Sequence, residues 1–490
     1  MSIQKIVFVI TFFIFSQSLS AKDYPASLFG IYSDGITLNT RSIQYAIDYI
    51  HNNGGGRLIF YVGRYLTGSI HLKSNVTIQL EEGAVLVGSL NPWDYDRKIF
   101  TALVMAYNQQ NIGITGKGII DGQGRQLGRN VVEMVHKGVL KDLFRYDRPE
   151  VENRAMLVNF RECENVLIKR ITLRNSAAWV QTYDQCKNLV IDSIYVDSKA
   201  YWNNDGIDIV DCDSVAITNS YIDASDDAIC LKSHDDKAVC KNVVIRNCTA
   251  RSSANGIKFG TATRGGFSNI KIINNKVYDT YRSAITLAAV DGGFVENVEV
   301  DSLWAYNTGN AFFLRIGERV QGKKGRMENV RISNMYVEVP ATKPDVSYEF
   351  QGPEEDMPRN ISPSSIVGLP DAVINNITLN NIEIKHPGGG DAMFAKVGLN
   401  ELDKVPEKAT AYPEFSMFGE LPAWGLYIRH AKNIQVNNVT LTCAKKDYRT
   451  PIVTDDVQTA SFKNVKVTVP DKKKVIYSYR SSAISENNVR

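Results

Sequence analysis

Short runs of alternating apolar and polar residues, most of them opening on asparagine, recur along the greater part of the chain. They read Asn165-Val-Leu-Ile, Asn188-Leu-Val-Ile, Asn242-Val-Val-Ile, Asn269-Ile-Lys-Ile, Asn297-Val-Glu-Val, Asn329-Val-Arg-Ile, Asn376-Ile-Thr-Leu and Asn433-Ile-Gln-Val, with Ser214-Val-Ala-Ile filling one gap. From Asn188 to Asn329 the steps are 26, 28, 27, 28 and 32 residues. A period in this range is the mark of a solenoid. Each unit holds two or three short β-branched segments, such as Val215-Ala-Ile217 and Tyr221-Ile222, separated by Asn, Asp, Gly and Ser. That pattern predicts strands and tight turns. The expected fold is all-β: a right-handed, single-stranded parallel β-helix of roughly ten or more coils, its inward aliphatics forming one continuous core. Cys163, Cys186, Cys212 and Cys240 each sit two residues before a repeat phrase and should stack at one corner.

The ends depart from the repeat, as the exposed edges of a solenoid require. Ile43, Ile47 and Ile50 have helical spacing after an N-cap at Asn39 or Thr40, and Gly54-Gly55-Gly56 follows. This segment predicts an amphipathic helix capping the first coil. The repeat breaks between Pro340 and Pro370 and again between His386 and Trp424, where long loops should shape a groove. Residues 1–21, with Lys5 before an apolar run from Ile6 to Phe15 and small residues up to Ala21, read as a signal peptide. The remainder, 22–490, reads as a single exported β-helix domain, periplasmic or extracellular, with no membrane span. A formal charge of +3 over 490 residues excludes nucleic acid held by bulk electrostatics, so any charged ligand must be recognised by placed residues. Seven cysteines without a CxxC pair argue against a zinc site.

Candidate chemistry lies on two consecutive coils, Asn203-Asn204-Asp205-Gly206-Ile207-Asp208 and Ser225-Asp226-Asp227-Ala228-Ile229. Slightly less than one coil separates Asp205 from Asp226, so Asp205, Asp226 and Asp227 should meet on adjacent rungs. Close carboxylates repel, and one of them should keep its proton near neutral pH. Such a set suits acid-assisted glycosidic cleavage, in which a carboxylic acid protonates the leaving oxygen and a carboxylate activates water. If Ile207, Ile229, Ile257 and Ile285 point inward, Asp208, Cys230, Lys258 and Thr286 form one outward column. Val210, Lys232, Gly260 and Ala288 form the next, which Arg315 extends. Lys232, Lys258 and Arg315 would then face one groove and bind an acidic sugar. Tyr201-Trp202 and Trp179 offer faces on which sugars stack, and Trp424 would close one end of the cleft. Alternation puts Asp227 formally inward, so a bend at Asp226-Asp227 is required.

These motifs resemble the signature of glycoside hydrolase family 28, the polygalacturonase and rhamnogalacturonan hydrolase group, whose elements are Asn-Thr-Asp, Asp-Asp, Gly-His-Gly and Arg-Ile-Lys. Asp34-Gly35, Gly54-Gly55-Gly56, Leu72-Lys73-Ser74-Asn75-Val76 and Gly83-Ala84-Val85-Leu86 are also similar. The resemblance implies a parallel β-helix and inverting hydrolysis, with Asp226 as general acid and Asp205 and Asp227 as bases. Two elements depart from the family pattern: Asn255 replaces the histidine of Gly-His-Gly, and Ala284-Ile285-Thr286-Leu287-Ala288 stands where Arg-Ile-Lys is expected.

The resulting expectation is a monomeric hydrolase of pectic or related acidic polysaccharides, without metal or cofactor. Its catalytic residues are Asp205, Asp226 and Asp227, and its substrate-binding residues Asn203, Asn255, Lys232, Lys258, Arg315 and Trp202. The alternatives are a polysaccharide lyase on the same solenoid and a non-catalytic carbohydrate-binding β-helix.

Overall fold

The repeat phrase has a conformational cause. Asn165, Asn188, Asn242, Asn269, Asn297, Asn329, Asn376 and Asn433 all have φ between 54° and 57°, and Ser214 has φ 63° in the coil that lacks the asparagine. Asparagine tolerates this left-handed region better than other side-chain-bearing residues. Its amide then bonds to the preceding coil: Asn188 Nδ2 donates to Asn165 Oδ1 at 3.1 Å, and Asn376 Nδ2 to Asn329 Oδ1 at 2.7 Å. A second ladder runs through Asn219, Asn247 and Asn274. Each asparagine thus sets a turn and ties it to its neighbour.

The computed structural model describes residues 22–97, 101–142, 147–350, 359–471 and 474–490. The expected signal peptide lies outside them. Between these turns the strands pair in parallel, each with the equivalent strand of the next coil, from Asp23–Pro25 to Ser482–Val489. The fold is a parallel β-helix. On one face Ile207, Ile229, Ile257, Ile285 and Phe312 lie in register through successive pairings. All five are buried, and they belong to one continuous apolar core. The seven cysteines are buried, and in the corner stack the Cys186 amide donates to Cys212 Sγ at 3.3 Å.

The capping helix α1 spans Thr40–Asn52 and seals the first coil with Ile43, Ile47 and Ile50. Its first turn is secured differently from a side-chain N-cap. Asn39 binds the preceding loop, accepting from the Tyr32 amide at 2.8 Å, and Thr40 Oγ1 accepts from the Gly68 amide at 2.8 Å. A second helix, α2 (Gly124–His136), is an insertion outside the repeat, and it starts without a side-chain cap.

The outward column Asp208, Cys230, Lys258 and Thr286 is observed in register. It continues as Phe313, Ser365, Tyr427 and Val453. The change from polar to mainly apolar has a reason: Phe313, Tyr427 and Val453 pack against Leu402, Val405, Phe415, Phe418 and Leu421 from the long loop before Ala423. This loop covers the sheet beyond Thr286 and walls one end of the groove. Trp424 has no part in that wall. It is 1% exposed and packs against His386, because strand alternation points it into the core.

Candidate active site

Asp205 and Asp227 occupy equivalent places on adjacent rungs, two residues before the inward Ile207 and Ile229. Both precede their strands, which begin at Ile207 and Ile229, so strand alternation does not bind Asp227. The chain bends at Ser225 and Asp226, supplying the required change of direction. Gly206 permits the close stacking, since a Cβ there would lie 2.3 Å from Ile222 Cγ2. One carboxylate oxygen each of Asp205 and Asp227, together with Cys230 Sγ, lie within 4.8 Å of one another. Asp226 is half-buried beside them, and its Oδ1 accepts from the Asp227 amide at 3.0 Å.

Lys232 and Lys258 face this cluster and are engaged by it. Lys232 Nζ donates to Asp205 Oδ2 at 3.0 Å and also to Asp208, and it sits 4.7 Å above the Trp179 ring. Lys258 Nζ donates to Asp227 Oδ2 at 2.7 Å and to the Tyr412 hydroxyl at 2.8 Å. Asn255 holds the other oxygen of Asp227, its Nδ2 donating at 2.7 Å and its backbone amide at 3.1 Å. Thr286 in turn donates to Asn255 Oδ1 at 2.8 Å and fixes the amide's orientation.

These contacts separate the carboxylates electrostatically. Burial pushes Asp205 well above the ordinary carboxylate range; Lys232 opposes this, while Asp208, Asp226 and Asp227 add to it. Burial likewise raises Asp208, to about 6, against the opposing effect of Lys232. One lysine facing two buried carboxylates leaves a negative charge uncompensated, so this group retains a proton to higher pH. At Asp227 burial also acts upward, but Lys258, Arg282 and Lys232 outweigh it and hold the carboxyl below the usual range. Burial disfavours charge on both lysines, yet Asp205 and Asp208 keep Lys232 well above the ordinary lysine value, and Asp227 with Tyr412 does the same for Lys258.

The remaining expected residues are placed around this centre. Asn203 Oδ1 accepts from Arg154 Nη2 at 2.9 Å and Arg148 Nε at 3.2 Å. The Trp202 ring is half-buried between Arg148, 5.4 Å from its centroid, and Phe350, whose ring is 5.3 Å away. Arg315 is on the expected register position but is 1% exposed. It donates to the carbonyls of Gly368 at 3.0 Å and Glu407 at 2.6 Å, anchoring the covering loop.

Two important residues were not singled out in the sequence. Asn204 is a fully buried hub: Oδ1 accepts from Ser198 Oγ and the amides of Ala200 and Tyr201, and Nδ2 donates to the carbonyls of Ser176 and Ala178. Its place immediately before Asp205 was the available signal. Asn204→Ala should destabilise the protein by about 2–3 kcal/mol, because several buried groups lose partners; chemical denaturation measures this. Arg282 lies three residues before Ile285, as Asp226 does before Ile229, so it occupies the same turn column two rungs on. Its Nε is 2.9 Å from Glu414 Oε1.

Fold and site define a parallel β-helix with a carboxylate cluster in a groove walled at one end. Residues 62–288 match the model of glycosyl hydrolases family 28, and the chain belongs to that family. It is 28% identical over 341 residues to a probable polygalacturonase of Vitis vinifera, covering 65% of this chain and 62% of that protein. It is 26% identical over 424 residues to an exo-poly-alpha-D-galacturonosidase of Dickeya chrysanthemi, covering 72% of this chain and 70% of that one. A family 28 exopolygalacturonase of Yersinia enterocolitica shares the fold, with a TM-score of 0.65 at 18% identity over 95% of this chain and 78% of the other. Among the described residues no helix is long and apolar enough to cross a membrane.

Proposed function

We propose that the protein is an exported glycoside hydrolase that cleaves glycosidic bonds in pectic, galacturonate-containing or related acidic polysaccharides with inversion of configuration. The observation that carries this reading is the convergence of Asp205 and Asp227, with Asp226 beside them at the groove. Asp205 and Asp227 are close enough to hold one water between their facing oxygens, and the cations beside Asp227 favour its ionised form. Asp226, the more exposed carboxyl, donates a proton to the leaving glycosidic oxygen while the water attacks from the opposite side of the sugar. The Asp205–Asp208–Lys232 group beside Asp226 keeps a proton to higher pH. Asn255 and Lys258 position Asp227, and Lys232 positions Asp205.

A lyase needs a base that gives up its proton near the working pH. Lys232 and Lys258 are shifted in the opposite direction by their carboxylate partners. Incubation with polygalacturonate and related oligosaccharides should therefore release reducing ends without the ultraviolet absorbance of a new double bond. Absorbance growing with cleavage, or binding without cleavage, would overturn the reading.

The pH profile of kcat/KM should be bell-shaped. Asp227 is held below the ordinary aspartate value of about 3.9, so its ionised form persists through that range and is lost only at lower pH. Asp205 is held well above it and Asp208 is raised to about 6, so the cluster's proton is lost on the alkaline side. A rate that rises monotonically from pH 4 to 9 would contradict the assignment.

A further inference from the structure

A pocket of 530 Å³ opens on the far bank of the catalytic sheet. The strand Ile229–Ser233 joins the two places: it begins two residues after Asp227 and runs out beside His234, which lines the pocket. At ~3.3 Å per residue the pocket lies roughly 15–20 Å from the carboxylate cluster, across the sheet rather than along the axis. Asp184, another lining residue, stands in the column of Lys232, two rungs before it, with Val210 between them. Arg264, Asp291 and Lys323 complete the walls from later coils. Gly265 lets the Arg264 turn close against the His234 loop, since a Cβ there would lie 1.7 Å from the Ala238 carbonyl oxygen.

The polar groups of the pocket fall into two sets. In the first, Asp291 Oδ2 accepts from the Thr263 amide at 3.0 Å and Oδ1 is 3.4 Å from Arg319 Nε, while Lys323 Nζ is 3.6 Å from Asp236 Oδ2. Arg161 Nε is 3.3 Å from Glu162 Oε1 and 3.7 Å from Asp184 Oδ2. The second set lacks such partners. Asp184 Oδ1 is buried and accepts no hydrogen bond. Neither does Oδ1 of the buried Asp211, whose Oδ2 fixes the loop by accepting from the His234 and Asp235 amides at 2.9 and 3.0 Å. Among the described residues the Gln185 side chain and the His234 ring form no hydrogen bond, and Arg264 forms no ion pair. A buried acceptor without a partner costs about 1–3 kcal/mol. Burial raises Asp184 to about 6, with Arg161 opposing and Asp211 adding to the effect. Burial, with Lys232 and Arg264, lowers His234 against the influence of Asp211, so its ring is neutral and carries one donor and one acceptor nitrogen.

This second set selects a chemical class. The Asp184 carboxylate accepts, the Arg264 guanidinium donates, and the Gln185 amide and the His234 ring do both. A hydroxyl is donor and acceptor at once and meets each of them. A ligand carboxylate could only accept, and it would face four lining carboxylates against three lining cations. We propose that this pocket binds a neutral, hydroxyl-rich sugar carried as a short branch on the acidic chain whose backbone lies at the aspartates. Its hydroxyls donate to Asp184 Oδ1 and accept from Arg264, Gln185 and His234. This rests on the hydrolase reading above and narrows its substrate to branched chains.

The test is calorimetric binding to the Asp226→Asn protein. The probes are trigalacturonate bearing one branch of xylose, galactose, arabinose or rhamnose, the same chain bearing a galacturonate branch, and the bare trisaccharide. At least one neutral-branched probe should bind about 10- to 100-fold more tightly than the bare chain, and the acid-branched probe should show no such gain. Asp184→Ala should abolish the gain and leave the affinity for bare trigalacturonate unchanged. If that variant does not fold, His234→Ala takes its place and should reduce the gain. No gain from any neutral branch, an equal gain from the acidic branch, or a gain untouched by the substitution overturns the assignment, even if the wild type cleaves the bare chain. A neutral-branch gain lost with Asp184 supports it even if the wild type releases no reducing ends, so this inference and the hydrolase reading fail separately.

Discussion

Asp226→Asn is expected to lower turnover of oligogalacturonates by about 10²–10⁴-fold, the usual contribution of a positioned general acid. The amide cannot deliver a proton to the leaving oxygen, yet it can make the contact that the carboxylate makes in the folded protein. That contact is an oxygen accepting from the Asp227 amide at 3.0 Å. Asp226 is half-buried and forms no ion pair among the described residues, so its neutral counterpart leaves no buried charge unbalanced. Thermal denaturation should consequently be almost unchanged while the release of reducing ends collapses. Activity within a few-fold of wild type would remove Asp226 from the role of acid.

Lys258→Met should produce the largest change in stability. The Lys258–Asp227 pair is buried on both sides, each side chain 3% exposed. Removing the cation leaves an ionised or expensively protonated carboxyl in the core of the site, a loss of about 3–5 kcal/mol. Replacing both members removes the uncompensated charge, so the Lys258→Met, Asp227→Asn double variant should recover most of that loss. It should nonetheless remain inactive, because Asp227 is one of the two groups assigned to the attacking water. Urea denaturation of the four proteins in this cycle measures the coupling. Additive losses would show that Lys258 does not serve mainly to balance Asp227.

How legible the molecule was in its sequence differs between its regular and irregular parts. The coils were readable because one physical demand, a left-handed turn bonded to its neighbour, repeats at Asn165, Asn188, Asn242 and their successors. The outward column from Asp208 to Thr286 followed from strand alternation alone. The destinations of the cations were harder to read. Alternation put Lys232, Lys258 and Arg315 on the outer face, but whether a long side chain meets a ligand or a protein group depends on what stands opposite. For Lys232 and Lys258 it is the aspartates, and for Arg315 it is a loop carbonyl from Glu407, far away in sequence. Tyr412, Glu414 and Phe415 reach the site from that same loop, which has no periodicity to reveal where it folds back. Arg282 was within reach of the repeat, since counting back three residues from Ile285 places it in the column of Asp226. Helix α2 lacked such a cue because it interrupts the repeat and begins without a side-chain cap.

The central claim is that Asp205 and Asp227 direct one water at the sugar while Asp226 protonates the departing oxygen. Proton NMR of the anomeric region during the first turnovers of a galacturonate oligosaccharide tests it most directly. The α-linked bond should yield the β-anomer of the new reducing end first, with the α-anomer appearing only by mutarotation, and Asp226→Asn should give neither signal at a comparable rate. First appearance of the α-anomer would require a covalent intermediate and would contradict the account.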